Sequence, residues 1–181
     1  MSLTRDILEF CFSHSIRIVT KHLPGRLNVL ADQASRVEPV STEWSLDDFT
    51  FGWLSREYGP FQVDLFATHL NAKLDAYVSP CPDKQACGIN AFSLSWDRWD
   101  RVYLYPPTAV PSQVVARFSG FRGQGVLIAP SHAQSAWYPS LLLRAPIHFP
   151  LPRGHSLSQE TLRGKVFHPD VSRFNLHIWI L

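Results

Sequence analysis

Two stretches, RVYLYPPT (Arg101–Thr108) and GVLIAP (Gly125–Pro130), decide what kind of fold this chain makes. Arg101 to Tyr105 is a short apolar strand that stops at Pro106-Pro107, because proline cannot donate to a ladder and fixes its own backbone. GVLIAP is apolar on both faces of the pleat, as expected of a strand covered on both sides. Between them lies a helical pattern from about Pro111 to Phe118, and after them a second one through Trp137 and Leu141. Upstream, Gln62 to Phe66 reads as a strand. Strands alternating with helices predict a parallel α/β sheet. Further out, Phe149 to Pro152 is interrupted by proline, and Asn175 to Leu181 (NLHIWIL) reads as one more strand, which at the end of a sequence suggests a piece of a longer chain. On the N-terminal side, Ser45 is placed to cap a helix carrying Asp47 and Asp48 in its first turn. Leu46, Phe49, Trp53 and Leu54 would share its buried face until Gly59-Pro60 ends it.

With 181 residues, 45% of them hydrophobic and 18% charged, the chain is long enough for one core and too apolar for intrinsic disorder. The net charge of +2 creates no strong field for nucleic acid or anionic membrane. Of the 17 basic residues 13 are Arg and 4 are Lys, a tilt towards bidentate contacts that serves phosphate and ordinary ion pairs equally. Cys11, Cys81 and Cys87 have no CxxC spacing and suggest neither a disulfide framework nor a zinc knuckle. No apolar run approaches the ~18 residues of a membrane span, and no secretory leader is visible. The expectation is an intracellular protein, cytoplasmic or nuclear, without a membrane partner.

The first dozen residues, with Leu3, Ile7, Leu8 and Cys11 at helical spacing, predict an amphipathic helix ending near Ser13. Ile16 to Thr20 has strand chemistry, Pro24-Gly25 turns the chain, and Asn28 to Ser35 is helical. The expected organisation is a helix-strand-helix unit over 1–36, a linker over 37–44 and an α/β domain over 45–181. Within the first unit, HLPGRLNVLADQASR (His22–Arg36) presents Asp32 one turn into its helix. A lone Asp there is commonly a solvated or capping residue.

HLPGRLNVLADQASR resembles the C-terminal end of the ribonuclease H domain attached to retrotransposon reverse transcriptases, and the resemblance gives Asp32 the place of its last metal-binding carboxylate. Arg26 stands where many cellular ribonucleases H carry a loop His. A second constellation runs through VDLFATHLNAKLDAY (Val63–Tyr77), NAFSLSWDRW (Asn90–Trp99), YLYPPT (Tyr103–Thr108) and GVLIAPSHAQSAWYPSL (Gly125–Leu141). It is similar to the phage-type DNA N6-adenine methyltransferases, and more closely to the methyltransferase-like domain that follows ribonuclease H in DIRS-like tyrosine-recombinase retrotransposons. NLHIWIL resembles the stretch before their recombinase. The resemblance implies a Rossmann-like sheet with flanking helices, a polyprotein context, and nucleic acid (DNA or an RNA–DNA hybrid) as a partner. It implies S-adenosylmethionine as the cofactor of an intact domain, and Mg²⁺ only with the missing upstream ribonuclease H part.

In such a methyltransferase a tetrapeptide Asn/Asp-Pro-Pro-Tyr/Phe holds the exocyclic amine and stacks on the extruded base. Here Tyr105, Pro106, Pro107 and Thr108 take those places, so a phenol replaces the amide or carboxylate and no ring remains to stack. Asn90 stands where Asp is usual. Asp64, Phe66, Asn71 and Asn90 are the candidate cofactor residues by resemblance, with Asp64 and Asn71 open to either a cofactor or a structural role. Pro106-Pro107 is equally readable as a rigid strand exit, and Trp96, Trp99, Tyr103 and Tyr105 as stacking platforms or as core. Asp97, Arg98, Asp100 and Arg101 read as a solvated turn. His168-Pro169-Asp170 matches a co-chaperone tripeptide by chance, and the eight His residues form no metal pattern.

The expected function is that of a retrotransposon polyprotein segment with a degenerate, catalytically inactive methyltransferase-like domain. An active enzyme with a divergent pocket and a domesticated protein-interaction module are the alternatives. A two-metal nuclease needs several converging carboxylates, and Asp32 is one. The purified chain is therefore expected to leave an RNA–DNA hybrid uncut in Mg²⁺; cleavage that disappears in Asp32→Asn would contradict this.

Overall fold

The computed structural model describes residues 2–19, 44–152, 154, 156–161 and 164–181. The chain divides into two compact units, Met1–Pro39 and Val40–Leu181. In the first, α1 (Ser2–Ser13) forms over the expected residues, with Arg5 paired to Glu9 one turn on at 2.9 Å. Residues 16–19, expected as the start of a strand, carry no regular structure. The Pro24-Gly25 turn, the helix from Asn28, Asp32 and the linker core at 37–43 lie outside the described residues.

The second unit is mixed α/β. Its main sheet has the order β2 (Val63–Asp64), β5 (Arg101–Leu104), β6 (Gln124–Pro130), β10 (Leu176–Ile180) and β7 (Ile147–Pro150). β2, β5 and β6 are parallel, as predicted, but β10 runs antiparallel to both β6 and β7, so the sheet is mixed. The parallel rule fails at β10 because its connection from β7 is not a helical crossover. It passes instead through the antiparallel pair β8 (Leu157–Thr161) and β9 (Gly164–Phe167) and a 3₁₀ turn at Val171–Phe174. A two-stranded parallel pair, β3 (Val78–Ser79) with β4 (Gly88–Ile89), adjoins β2 through a parallel bridge between Asp64 and Tyr77.

β1 (Ser45–Leu46) pairs with β8, Leu46 opposite Leu157. That pairing corrects the helix start: it holds Ser45 extended, so the cap is Asp47, whose carboxylate accepts the Phe49 N–H at 3.0 Å. The helix α2 (Asp48–Tyr58) ends at Gly59 as predicted, yet buries Thr50 and Leu54 and leaves Phe49 81% exposed. Lys73 and Lys165 both reach Asp48, and their hydrogen bonds pull its carboxyl down to about 2.

The sheet separates two cores. On one face Val102, Leu104, Leu127, Ala129 and Trp179 pack with Val114 and Val115 of α3 (Pro111–Arg117) and Leu141 of α4 (Tyr138–Arg144). On the other, Tyr103, Val126, Ile128 and Ile178 pack with Leu54 of α2 and with Leu46 and Leu157 of β1 and β8. GVLIAP is thus buried on both faces, as its composition required. At the β7 side, His148 stacks on Trp179 with ring centroids 4.0 Å apart.

Gly125 faces Val102 across the parallel ladder, and a Cβ there would come within 2.2 Å of the Val102 carbonyl oxygen. Backbone cannot yield as a side chain does, so Gly125→Ala is expected to cost ~1–3 kcal/mol. Gly52, inside α2, has open space around a Cβ, so Gly52→Ala is expected to stabilise by up to ~1 kcal/mol. Urea midpoints measured on both variants check the pair, which must move in opposite directions.

Candidate functional site

β2 and β5 lie in register with Asp64 beside Tyr103 and end at the same edge of the sheet. There the chain leaves them in the loops after Asp64 and Leu104, and the start of β10 arrives, with Leu176 opposite Pro130. Crevices outside the carboxyl ends of parallel strands are where open α/β sheets bind ligands. A cavity of about 240 Å³ occupies this position. It brings together seven of the residues singled out in the sequence: Asp64, Phe66, Asn71, Tyr105, Pro106, Pro107 and Thr108. Trp44, Tyr103, Phe174 and Leu176 complete the lining.

Asp64 and Asn71 build the loop that forms one wall. Asp64 is 2% exposed, and its two oxygens accept the Phe66 N–H at 3.3 Å and the Lys73 N–H at 3.1 Å. Asn71 Oδ1 accepts the Thr68 N–H at 2.7 Å and the Thr68 hydroxyl at 3.1 Å. These bonds explain the segment DLFATHLNAK locally: side-chain carbonyls and carboxylates take the N–H groups that a loop leaves without strand partners. Burial pushes the Asp64 carboxyl up to about 6, against the pull of the Lys73 and Phe66 N–H groups and the Lys73 charge.

Tyr105, half-buried, and buried Pro106 form the floor of the opposite wall, while Pro107 and Thr108 are exposed at its rim. The Pro107 carbonyl accepts the Val110 N–H at 3.1 Å, tying the exit turn to the start of α3. Tyr105 puts a phenol where an amide oxygen would hold an amine, and Thr108 supplies no ring where a base would stack. Asn90 stands apart from this group. It has φ 55°, caps a 3₁₀ turn by accepting the Phe92 N–H at 3.1 Å, and lines a neighbouring apolar cavity of about 180 Å³ that shares Phe66 and Pro107 with the first.

Trp96 and Tyr103, which the sequence left open as stacking platforms, are core: both are at most 2% exposed, and Trp96 Nε1 donates to the Ala91 carbonyl at 2.8 Å. Tyr103 nevertheless belongs to the site. Its hydroxyl is buried, has no hydrogen-bond partner among the described residues and belongs to a side chain that lines the cavity. Burial, then the nearby Asp64 charge, holds that phenol well above its usual range, so it is a neutral hydroxyl. Strand alternation in VYLY carries the signal for it, since residues two apart share a face and Tyr103 therefore sides with Tyr105. Among the described residues no group of three His, Cys, Asp or Glu side chains could hold a metal ion, and no helix is long and apolar enough to cross a membrane.

A carboxyl whose folded pKa lies above its ordinary 3.8 contributes stability that is fully present below 3.8 and lost as pH rises through about 6. The melting temperature of the wild type minus that of Asp64→Asn is expected to fall across that window; a flat difference would mean that Asp64 is solvated. Compared with known proteins, the chain matches no family model, and no curated protein matches it.

Proposed function

We propose that the chain is a segment of a DIRS-like tyrosine-recombinase retrotransposon polyprotein, in which residues 45–181 are a Rossmann-like domain derived from a DNA N6-adenine methyltransferase. In this reading the domain no longer methylates. It serves as a nucleic-acid-associated or structural module of the polyprotein. The observation that carries the proposal is the convergence of Asp64, Phe66, Asn71 and Tyr105–Thr108 on one cavity at the strand ends. The order and spacing of those segments carry the resemblance, and their meeting in one cleft is what a shared site would require.

The donor set does not fit amine methylation. In-line attack on a methyl donor requires the amine to be held by lone pairs and the base to be stacked. Tyr105 offers a hydroxyl that donates as readily as it accepts, and exposed Thr108 offers no ring. No methyl-transfer step is therefore assigned to these residues. What they retain is a cleft with a rigid exit at Pro106-Pro107 and a loop held by Asp64 and Asn71.

The test is methyl transfer from labelled S-adenosylmethionine to adenine-containing DNA. None is expected from the wild-type protein. Transfer that is lost on changing Tyr105 and Thr108 would favour the active enzyme instead. A steep fall of DNA affinity with salt is expected if Arg side chains contact phosphate; no binding at low salt would leave only the structural role.

A further inference from the structure

The cavity combines features that neither a degenerate motif nor a packing defect accounts for. Five aromatic side chains, Trp44, Phe66, Tyr103, Tyr105 and Phe174, line it. So does a carboxylate that is 2% exposed and forms no ion pair among the described residues. Lys73 contributes its backbone N–H to Asp64 and sends its ammonium to Asp48 at 2.8 Å. Among the described residues no Lys, Arg or His lines it. His168 stands behind the wall against Trp44 and Phe174, with its Nδ1 accepting the Asp170 N–H at 3.0 Å. Tyr103, whose buried hydroxyl has no partner among the described residues, lines the same cavity.

A buried anion that forms no ion pair is unfavourable, and a cationic ligand in contact with it removes that penalty. A neutral flat ring would use the aromatic walls and leave Asp64 uncompensated. A bare ammonium or metal ion would compensate Asp64 but would give up its hydration to mostly apolar walls. A methylated ammonium answers both demands: its charge is spread over methyl groups that shed water easily, and aromatic rings attract it through their quadrupoles. We infer that this cleft is a receptor for a small methylated onium cation, with Asp64 as its counter-charge, the aromatic side chains as its walls, and the Tyr103 hydroxyl as the partner of a polar group on the ligand. The inference rests on the reading of the cleft as a ligand site, and it is independent of whether that cleft descends from a methyltransferase.

Choline and its uncharged isostere 3,3-dimethylbutan-1-ol, titrated by calorimetry into the full chain, separate charge recognition from simple burial. Choline is expected to bind at least ~10-fold more tightly than the isostere, the size of a desolvated cation–π contribution. Trp44→Leu keeps an apolar wall and is expected to weaken choline while changing the isostere little; Asp64→Asn is expected to do the same more strongly. Circular dichroism and melting temperature show that each variant is folded, and Trp44→Leu carries the test if Asp64→Asn unravels its loop. Equal affinity for the two ligands, or no binding of choline, overturns the inference. S-adenosylmethionine and its uncharged thioether product keep the two readings apart. If both bind equally and choline does not, the onium inference fails and the methyltransferase ancestry gains. If choline binds and neither nucleoside does, the onium inference stands and the cofactor site is lost.

Discussion

The close approach of Gly125 to the Val102 carbonyl is the contact on which the second unit depends. It lets β6 lie in parallel register against β5, and β5 is where the two cores and the cleft meet. Val102 and Leu104 feed the core beneath α3 and α4, and Tyr103 feeds the one beneath α2. Four residues of strand thus hold three layers together, and the next four, Tyr105 to Thr108, become a wall of the cavity. Packing and site cannot be varied independently here, because Tyr103 belongs to both.

The electrostatics of the unit are arranged in two separate places. At the start of α2, Asp48 is exposed and shared by two lysines, so its charge is favoured. At the end of β2, Asp64 is buried, and burial disfavours its charge against the pull of the Lys73 and Phe66 N–H groups and the Lys73 charge. Lys73 links the two, giving its ammonium to the first carboxylate and its N–H to the second. That division leaves the cavity with an anion and aromatic walls, the chemistry of a cation receptor.

The elements with local signals were legible. GVLIAP declared its two-sided burial by composition, α1 by its spacing, and the end of α2 by Gly59-Pro60. Errors arose where a distant partner intervened. Ser45 is a sound cap until Ser158 draws it into a ladder, after which Asp47 takes over. NLHIWIL reads correctly as a strand, but nothing in its own residues states its direction.

The candidate site divides in the same way. Motif order and residue type determined that Asp64, Phe66, Asn71 and Tyr105 to Thr108 were worth naming, and that Tyr105 and Thr108 change the chemistry of the tetrapeptide. Only the tertiary structure decided that these residues share one cavity, that Asn90 lines another, and that the Tyr103 hydroxyl is left without a partner beside a buried carboxylate. The physical reason is that residue type and spacing are properties of the chain, whereas desolvation is a property of what surrounds a group. Asp48 and Asp64 are the same residue type, and their surroundings differ: Lys165 and Lys73 favour the charge of the first, while burial disfavours that of the second.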